Sequence, residues 1–278
     1  MTDPFHTPPA VGFWAEVVDR ADAALASGAM HSFECALEFV EAAGVEFVIR
    51  VATRFPRGET AAGRKADAPR LAADPFADPE PALRVREIHG THRALLNKFS
   101  VLREHLLIVT GAFEEQASLL DESDFAALAV AMEDAEVLAF YNGGAEAGAS
   151  QRHKHIQVVT LPLSPRHSVP MDVLVDKGQL PFPHALTRLA AGACGRPAEM
   201  LRCYLELHRR AGLTAPKPYN LLVTHEWMLV VPRSRDRFED ISINSLAFAG
   251  SYFVRDAKHA RVITASKPMS VLASVAIA

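Results

Sequence analysis

FYNGGAEAGASQRHKHIQVVTLP, residues Phe140 to Pro162, is the stretch that decides the fold. It predicts the end of a helix, a glycine-rich turn, and then a strand. Three glycines and three alanines fall in the ten residues after Asn142, so backbone can come close to a ligand with little Cβ obstruction. Ser150 and Gln151 add side-chain donors at the mouth of the turn. On a strand from His153 to Val159 the period of two places His153, His155 and Gln157 on one face and Lys154, Ile156 and Val158 on the other. Two imidazoles and an amide beside a backbone-rich anion cradle suit phosphorus chemistry.

Two plainer readings compete. His-x-His is often half of a zinc site. The three cysteines stand at no metal spacing, Cys194 and Cys203 being nine apart, and no His-x-x-Glu-His pattern occurs, so no metal site is expected. A glycine turn followed by a satisfied core histidine is the other reading. Neither explains why Gln157 shares the face.

Working outward, 278 residues can bury a sizeable core, and 49% hydrophobic with 22% charged residues is ordinary for a soluble globular chain. A net charge of −4 gives no support to nucleic-acid binding. An odd number of cysteines at unrelated spacings suits reduced thiols in a cytoplasm. MTDPFHTPPA lacks the basic start and apolar run of a signal peptide, and no apolar stretch is long enough for a membrane helix. A cytoplasmic protein is expected.

Gly12–Ser27 and His31–Ala43 both show apolar spacings of three and four and are predicted as helices, stopped by Gly28 and Gly44. Val45–Val51 alternates as a strand. Residues 54–81 form a long irregular excursion. Leu95–Phe99 and His105–Thr110 predict a hairpin, with Asn97 and Lys98 breaking its first strand. A helix capped by Asp121 or Ser123 is predicted to run to about Tyr141 and to deliver the glycine turn. Ala198–Arg210 predicts a helix, and Tyr219–Thr224 with Trp227–Val231 a second hairpin. Hairpins outnumber βαβ units, so the fold class is α+β with a mostly antiparallel sheet.

AGASQRHKHIQ resembles the active-site signature of the ATP adenylyltransferases, also called diadenosine tetraphosphate phosphorylases, in the transferase branch of the histidine-triad superfamily. DPFADP at 74–79, LLNKFSVLREHLLIVT at 95–110, YNLLVT at 219–224, VVPRS at 230–234 and ISINSLAFAG at 241–250 resemble the same family in the same order. The resemblance covers roughly residues 74–278. It implies one domain with a twisted antiparallel, histidine-triad-like sheet over 1–278. Residues 1–190 would carry the His-x-His-x-Gln site, and residues 196–278 would complete the nucleotide pocket.

By that resemblance His155 is the nucleophile, His153 helps to bind or orient, and Gln157 replaces the third histidine of the hydrolase branch. Gly148, Ala149, Ser150 and Gln151 correspond to the phosphate cradle and Asn142 to an associated amide contact. A phosphate-reaching lysine belongs within 54–65, where Lys65 is the candidate. Asn97 and Lys98 would contact nucleotide, as would Asn244, Ser245, Leu246, Ser251 and Arg255. Ser251 and Arg255 depart from the methionine and lysine of some members. The implied reaction is phosphorolysis of diadenosine tetraphosphate, in which ATP leaves, an adenylyl group stays on His155, and inorganic phosphate collects it as ADP. No tightly bound cofactor is implied; Mg2+ would arrive with the polyphosphate. A monomer is the expected state. A nucleotidyltransferase acting on a sugar nucleotide or adenylyl sulfate, and a non-catalytic nucleotide-binding protein, remain the alternatives.

Overall fold

The computed structural model describes residues 11–54, 74–102, 104–213 and 217–276. Helix α1 (Phe13–Ser27) buries Phe13, Trp14, Val17, Ala21 and Ala24, and Gly28 ends it in the left-handed region at φ 76°. Trp14 Nε1 donates to Ala131 O at 2.7 Å, tying this helix to the next one.

The second predicted helix is a hairpin instead. Strands β1 (His31–Ser32) and β2 (Glu34–Ala42) precede β3 (Val45–Arg54), and Ala42 pairs with Val45 across a two-residue turn. Ala43 and Gly44 both hold positive φ, at 55° and 78°. Such a turn matches strand twist but is usually announced by Asn-Gly or Asp-Gly, which this sequence lacks. The spacing of Phe33, Leu37 and Val40 imitates a helix because β2 is an edge strand carrying apolar groups on both faces.

Next come β4 (Arg84–Ile88), β5 (His92–Leu96), β6 (Phe99–Ser100) and β7 (Leu106–Thr110). The β5–β7 pairing is the expected hairpin. Helix α2 covers Glu122–Ala131, and its N-cap Asp121 accepts from Ser123 N and Asp124 N while Asp124 bonds back to Asp121 N. The helix stops ten residues before Tyr141, and Val137–Gly143 forms strand β8, every residue of it buried. A strand buried on both faces reads as a continuous apolar run, which periodicity cannot tell from a buried helix.

The chain continues through β9 (His155–Thr160), α3 (Asp172–Val175), β10 (Ala185–Arg188), α4 (Pro197–Arg210), β11 (Tyr219–Val223), β12 (Trp227–Pro232), β13 (Arg237–Phe238) and β14 (Ile241–Ser242). It ends with α5 (Ser245–Phe248), β15 (Ser251–Val254), α6 (Ala257–Ala265) and α7 (Pro268–Val275).

Eight strands form one sheet in the order β10-β12-β11-β8-β9-β7-β5-β4, every neighbouring pair antiparallel. The expected α+β class is the one observed. Helices α1, α2 and α4 pack on one face, over Ala139, Tyr141, Ile156 and Val158. The other face, with Leu138, Phe140 and Val159, is covered by β3, β15 and the helices α5 to α7. The histidine strand β9 lies near the middle, and the alternation read from its sequence holds. Lys154 lies fully buried and bonds to Asp124 of α2 at 2.6 Å and to Glu114 at 3.0 Å. Its charge is thus paired, as burial demands. His155 and Gln157 face the opposite way, toward Phe76, Leu95, Leu107 and Val109.

Candidate active site

His155 is 4% exposed and its ring lies 5.2 Å from that of Phe76. Its Nδ1 sits 2.8 Å from the carbonyl oxygen of His153. A carbonyl only accepts, so Nδ1 carries the proton and Nε2 keeps a bare lone pair. Burial pulls the pKa of this ring down to about 4, against a smaller opposing effect from the His153 carbonyl. At neutral pH the imidazole is therefore uncharged, as a nucleophile must be.

The other groups of the strand divide the work. Both ring nitrogens of His153 are engaged within the protein, Nδ1 with the Asp74 carboxylate (2.7 Å) and Nε2 with Thr110 O (2.8 Å) and Ala112 O (3.2 Å). Its contribution to orienting His155 comes through its carbonyl. Gln157 Oε1 accepts from His105 Nε2 at 2.9 Å, and His105 Nδ1 accepts from Asn97 Nδ2 at 3.2 Å. With its oxygen used, Gln157 has its NH2 left as a donor. Burial holds His105 near pKa 4, so it stays in the neutral tautomer that this chain needs.

Asn142, on β8, follows the same logic. Its Oδ1 accepts from Asn220 Nδ2 (2.9 Å), Ser245 Oγ (2.8 Å) and Ser245 N (3.1 Å), leaving the NH2 group as a donor. The β8–β9 register pairs Phe140 with Gln157, and two more steps bring Asn142 level with His155. Gln116 locks that level: its Nε2 donates to Asn142 O and His155 O, both at 3.1 Å, and its Oε1 accepts from His155 N at 2.8 Å.

Within the cradle, the N–H groups of Gly148 and Ala149 close the turn itself, bonding to Ala145 O and Gly144 O. Gly148 serves by its shape: at φ 92°, a Cβ there would stand 3.0 Å from Ile243 O. Ser150 and Gln151 are exposed, and their backbone and side-chain donors are unengaged among the described residues.

The remaining predicted positions split into four groups. Asn244 caps α5 through Leu246 N, Ser245 joins the Asn142 cluster, and half-buried Leu246 packs on the core beneath. Ser251 Oγ accepts from Arg50 Nε (3.2 Å), and Arg255 pairs with Asp240 (3.5 Å). Asn97 supports His105, and Lys98 pairs with Glu80. Lys65 lies outside the described residues. Among the described residues no group of three or more His, Cys, Asp or Glu converges to hold a metal.

A family model of the Ap4A (diadenosine tetraphosphate) phosphorylase N-terminal domain matches residues 5–177, and one of the ATP adenylyltransferase C-terminal domain matches residues 178–278. This chain belongs to the Ap4A phosphorylase (ATP adenylyltransferase) family. It is 32% identical over 230 residues to diadenosine 5',5'''-P1,P4-tetraphosphate phosphorylase 2 of Saccharomyces cerevisiae, covering 66% of this chain and 70% of that protein. The structure of yeast Ap4A phosphorylase Apa2 in complex with AMP is similar with a TM-score of 0.79 at 25% identity, over 95% of this chain and 96% of that one. Its complex with Ap4A gives a TM-score of 0.77 at 25% identity over the same shares. The enzyme family expected from the five collinear segments is the one found.

Sequence reasoning passed over several residues that hold this candidate site together. Asp74, His105, Asn220 and Arg233 lie inside the quoted segments, yet nothing in their spacing revealed whom they bond. Gln116 stands in the loop between β7 and α2 with no signal at all.

Proposed function

We propose that this chain cleaves diadenosine tetraphosphate by phosphorolysis through a covalent adenylyl group on His155. The observation that carries this reading is the bare Nε2 lone pair of a neutral, carbonyl-oriented ring, with Asn142 level with it on β8 and Gln157 two residues further along β9. Nε2 attacks the α-phosphorus, the bond to the bridging oxygen breaks, and ATP leaves with that electron pair. An oxygen of inorganic phosphate then attacks the same phosphorus, the P–N bond breaks, and ADP departs. In-line geometry at each step inverts phosphorus, so the whole reaction retains configuration.

The amides act by donation. Charge grows on the non-bridging oxygens in both steps, and donors already in place stabilise it without reorganising. An amide has no proton to exchange near pH 7, so Gln157 offers water no general base. The open donors of Ser150 and Gln151 suit the adjoining phosphates. Mg2+ brought by the polyphosphate would offset its charge.

A single-turnover mixture of protein and Ap4A without phosphate tests the reading. It should release one ATP per chain and leave an acid-labile adenylyl group on the peptide carrying His155. Addition of phosphate should then yield ADP. An adduct on His153, or none at all, would refute the covalent route. A panel of dinucleoside polyphosphates, sugar nucleotides and adenylyl sulfate separates the substrates.

A further inference from the structure

Arg233 stands at the end of β12 with no exposure to solvent. Every hydrogen bond it makes goes to an uncharged oxygen. Nε donates to Val275 O at 3.2 Å, Nη1 to Ala147 O at 3.2 Å and to Asn220 Oδ1, and Nη2 to Arg235 O and Ile243 O at 2.6 and 2.8 Å. The Phe248 ring centre lies 5.3 Å from the guanidinium carbon. Among the described residues no carboxylate accepts a hydrogen bond from it, and the Asp236 carboxylate acts on it only through space. Burial lowers its pKa only to about 10, so the cation persists at neutral pH.

The chain of donors that starts here runs in one direction. A guanidinium only donates, so Asn220 must present Oδ1 to it. That choice turns Asn220 Nδ2 toward Asn142 Oδ1 and Ala147 O, each 2.9 Å away. Asn142 Oδ1 then faces protein donors on all sides, and the Asn142 NH2 group is what remains for a ligand. Ser245 N and Ala147 O already hold both amides in this sense, and the guanidinium, a donor that cannot become an acceptor, adds a charged hold on the same choice. Hydrogen bonds in such a chain also polarise one another, so the charge at its head strengthens the donor at its tail. The same fork captures Ala147 O and Ile243 O, the two loops that meet at Gly148.

We propose that Arg233 is a positioning residue for the phosphate chain, aiming the Asn142 amide at it through Asn220. This rests on the reading that phosphates lie against Asn142 and the 148–151 turn. The test is a double-mutant cycle read by calorimetry as affinity for inorganic tripolyphosphate, with melting temperature recorded beside it. Arg233→Lys keeps a cation and loses the fork, and should weaken binding by about tenfold. In an Asn142→Ala background the same change should weaken binding no further, although it lowers the melting temperature equally in both. Losses that multiply independently would overturn the proposal, as would natural protein that fails to bind tripolyphosphate. If Arg233→Lys does not fold, Asn220→Asp replaces it. The new carboxylate pairs with Arg233 and holds the fold but removes the NH2 that orients Asn142, so undiminished binding would refute the proposal. Turnover of Ap4A by the natural protein is a separate arm. Silent turnover with Arg233-dependent tripolyphosphate binding refutes phosphorolysis and supports positioning, whereas active turnover with independent losses does the reverse.

Discussion

The imidazole of His155 is aimed by the backbone of His153, whose carbonyl oxygen lies 2.8 Å from Nδ1. Orientation by a backbone atom survives changes to the His153 side chain. His153→Ala should therefore retain an adenylylated His155 in the single-turnover assay, though at a reduced rate because Asp74 and Phe76 lose their anchor. His155→Ala should lower turnover by ~10⁴-fold or more, with a melting temperature close to that of the natural protein. Comparing the two variants by peptide mapping checks the assignment.

The acid side of the stability profile carries the second expectation. Burial lowers the folded-state pKa of His155 and His105 to about 4 each, below the 6.5 of an unfolded histidine. A depressed histidine means that the unfolded chain binds a proton which the folded chain refuses. Stability is then complete above about pH 6.5 and falls as pH drops toward about 4, by up to ~1.4 kcal/mol per pH unit for each ring. Melting temperature measured across pH 4–8 should show this decline, and Phe in place of His105 should make it shallower. The adenylylation rate should show no ionisation of His155 near pH 6.5.

Gln157→Ala removes one preorganised donor and should lower kcat by ~10²–10³-fold with a smaller effect on KM. Gln157→His supplies a group that can carry a proton, so the ratio of AMP to ADP released at fixed phosphate should rise. An unchanged ratio with measurable turnover would show that acceptor choice is set elsewhere. His105→Gln, which can still donate to Oε1, should keep more activity than His105→Phe.

Gly148→Ala tests the cradle. The added Cβ meets Ile243 O at 3.0 Å in a backbone conformation with φ 92°. We expect a loss of stability of ~1–3 kcal/mol by denaturant titration, together with weaker nucleotide binding, because the turn can only relax by moving away from Asn244.

Much of the site was legible before the fold was known, because its chemistry is local. The alternation of His153, His155 and Gln157 needs only the period of a strand. The glycine turn needs only its small residues. What escaped reading was of two kinds. Secondary structure failed where two periods fit the same letters: residues 31–43 scan as a helix but pair as an edge strand, and the run 137–143 is apolar throughout, so it carries no period. Partners failed because hydrogen bonds between distant segments leave no mark on spacing. Nothing near Gln116 hints that it holds His155, and nothing near Asn220 hints that it faces Asn142, 78 residues away.

Strand β11 lies beside β8 in the large sheet, so material from the second family segment sits next to the heart of the first. Synthesis runs from the N-terminus, and the nucleophile has left the ribosome long before Asn220, Arg233 or Val275. A nascent chain that stops after residue 177 would display His155 without the neighbours that aim Asn142. Completion of that network then waits on the second segment, whose helix α7 supplies the carbonyl of Val275 to Arg233. A partly made chain should handle no nucleotide, and the two segments should be inseparable units of inheritance.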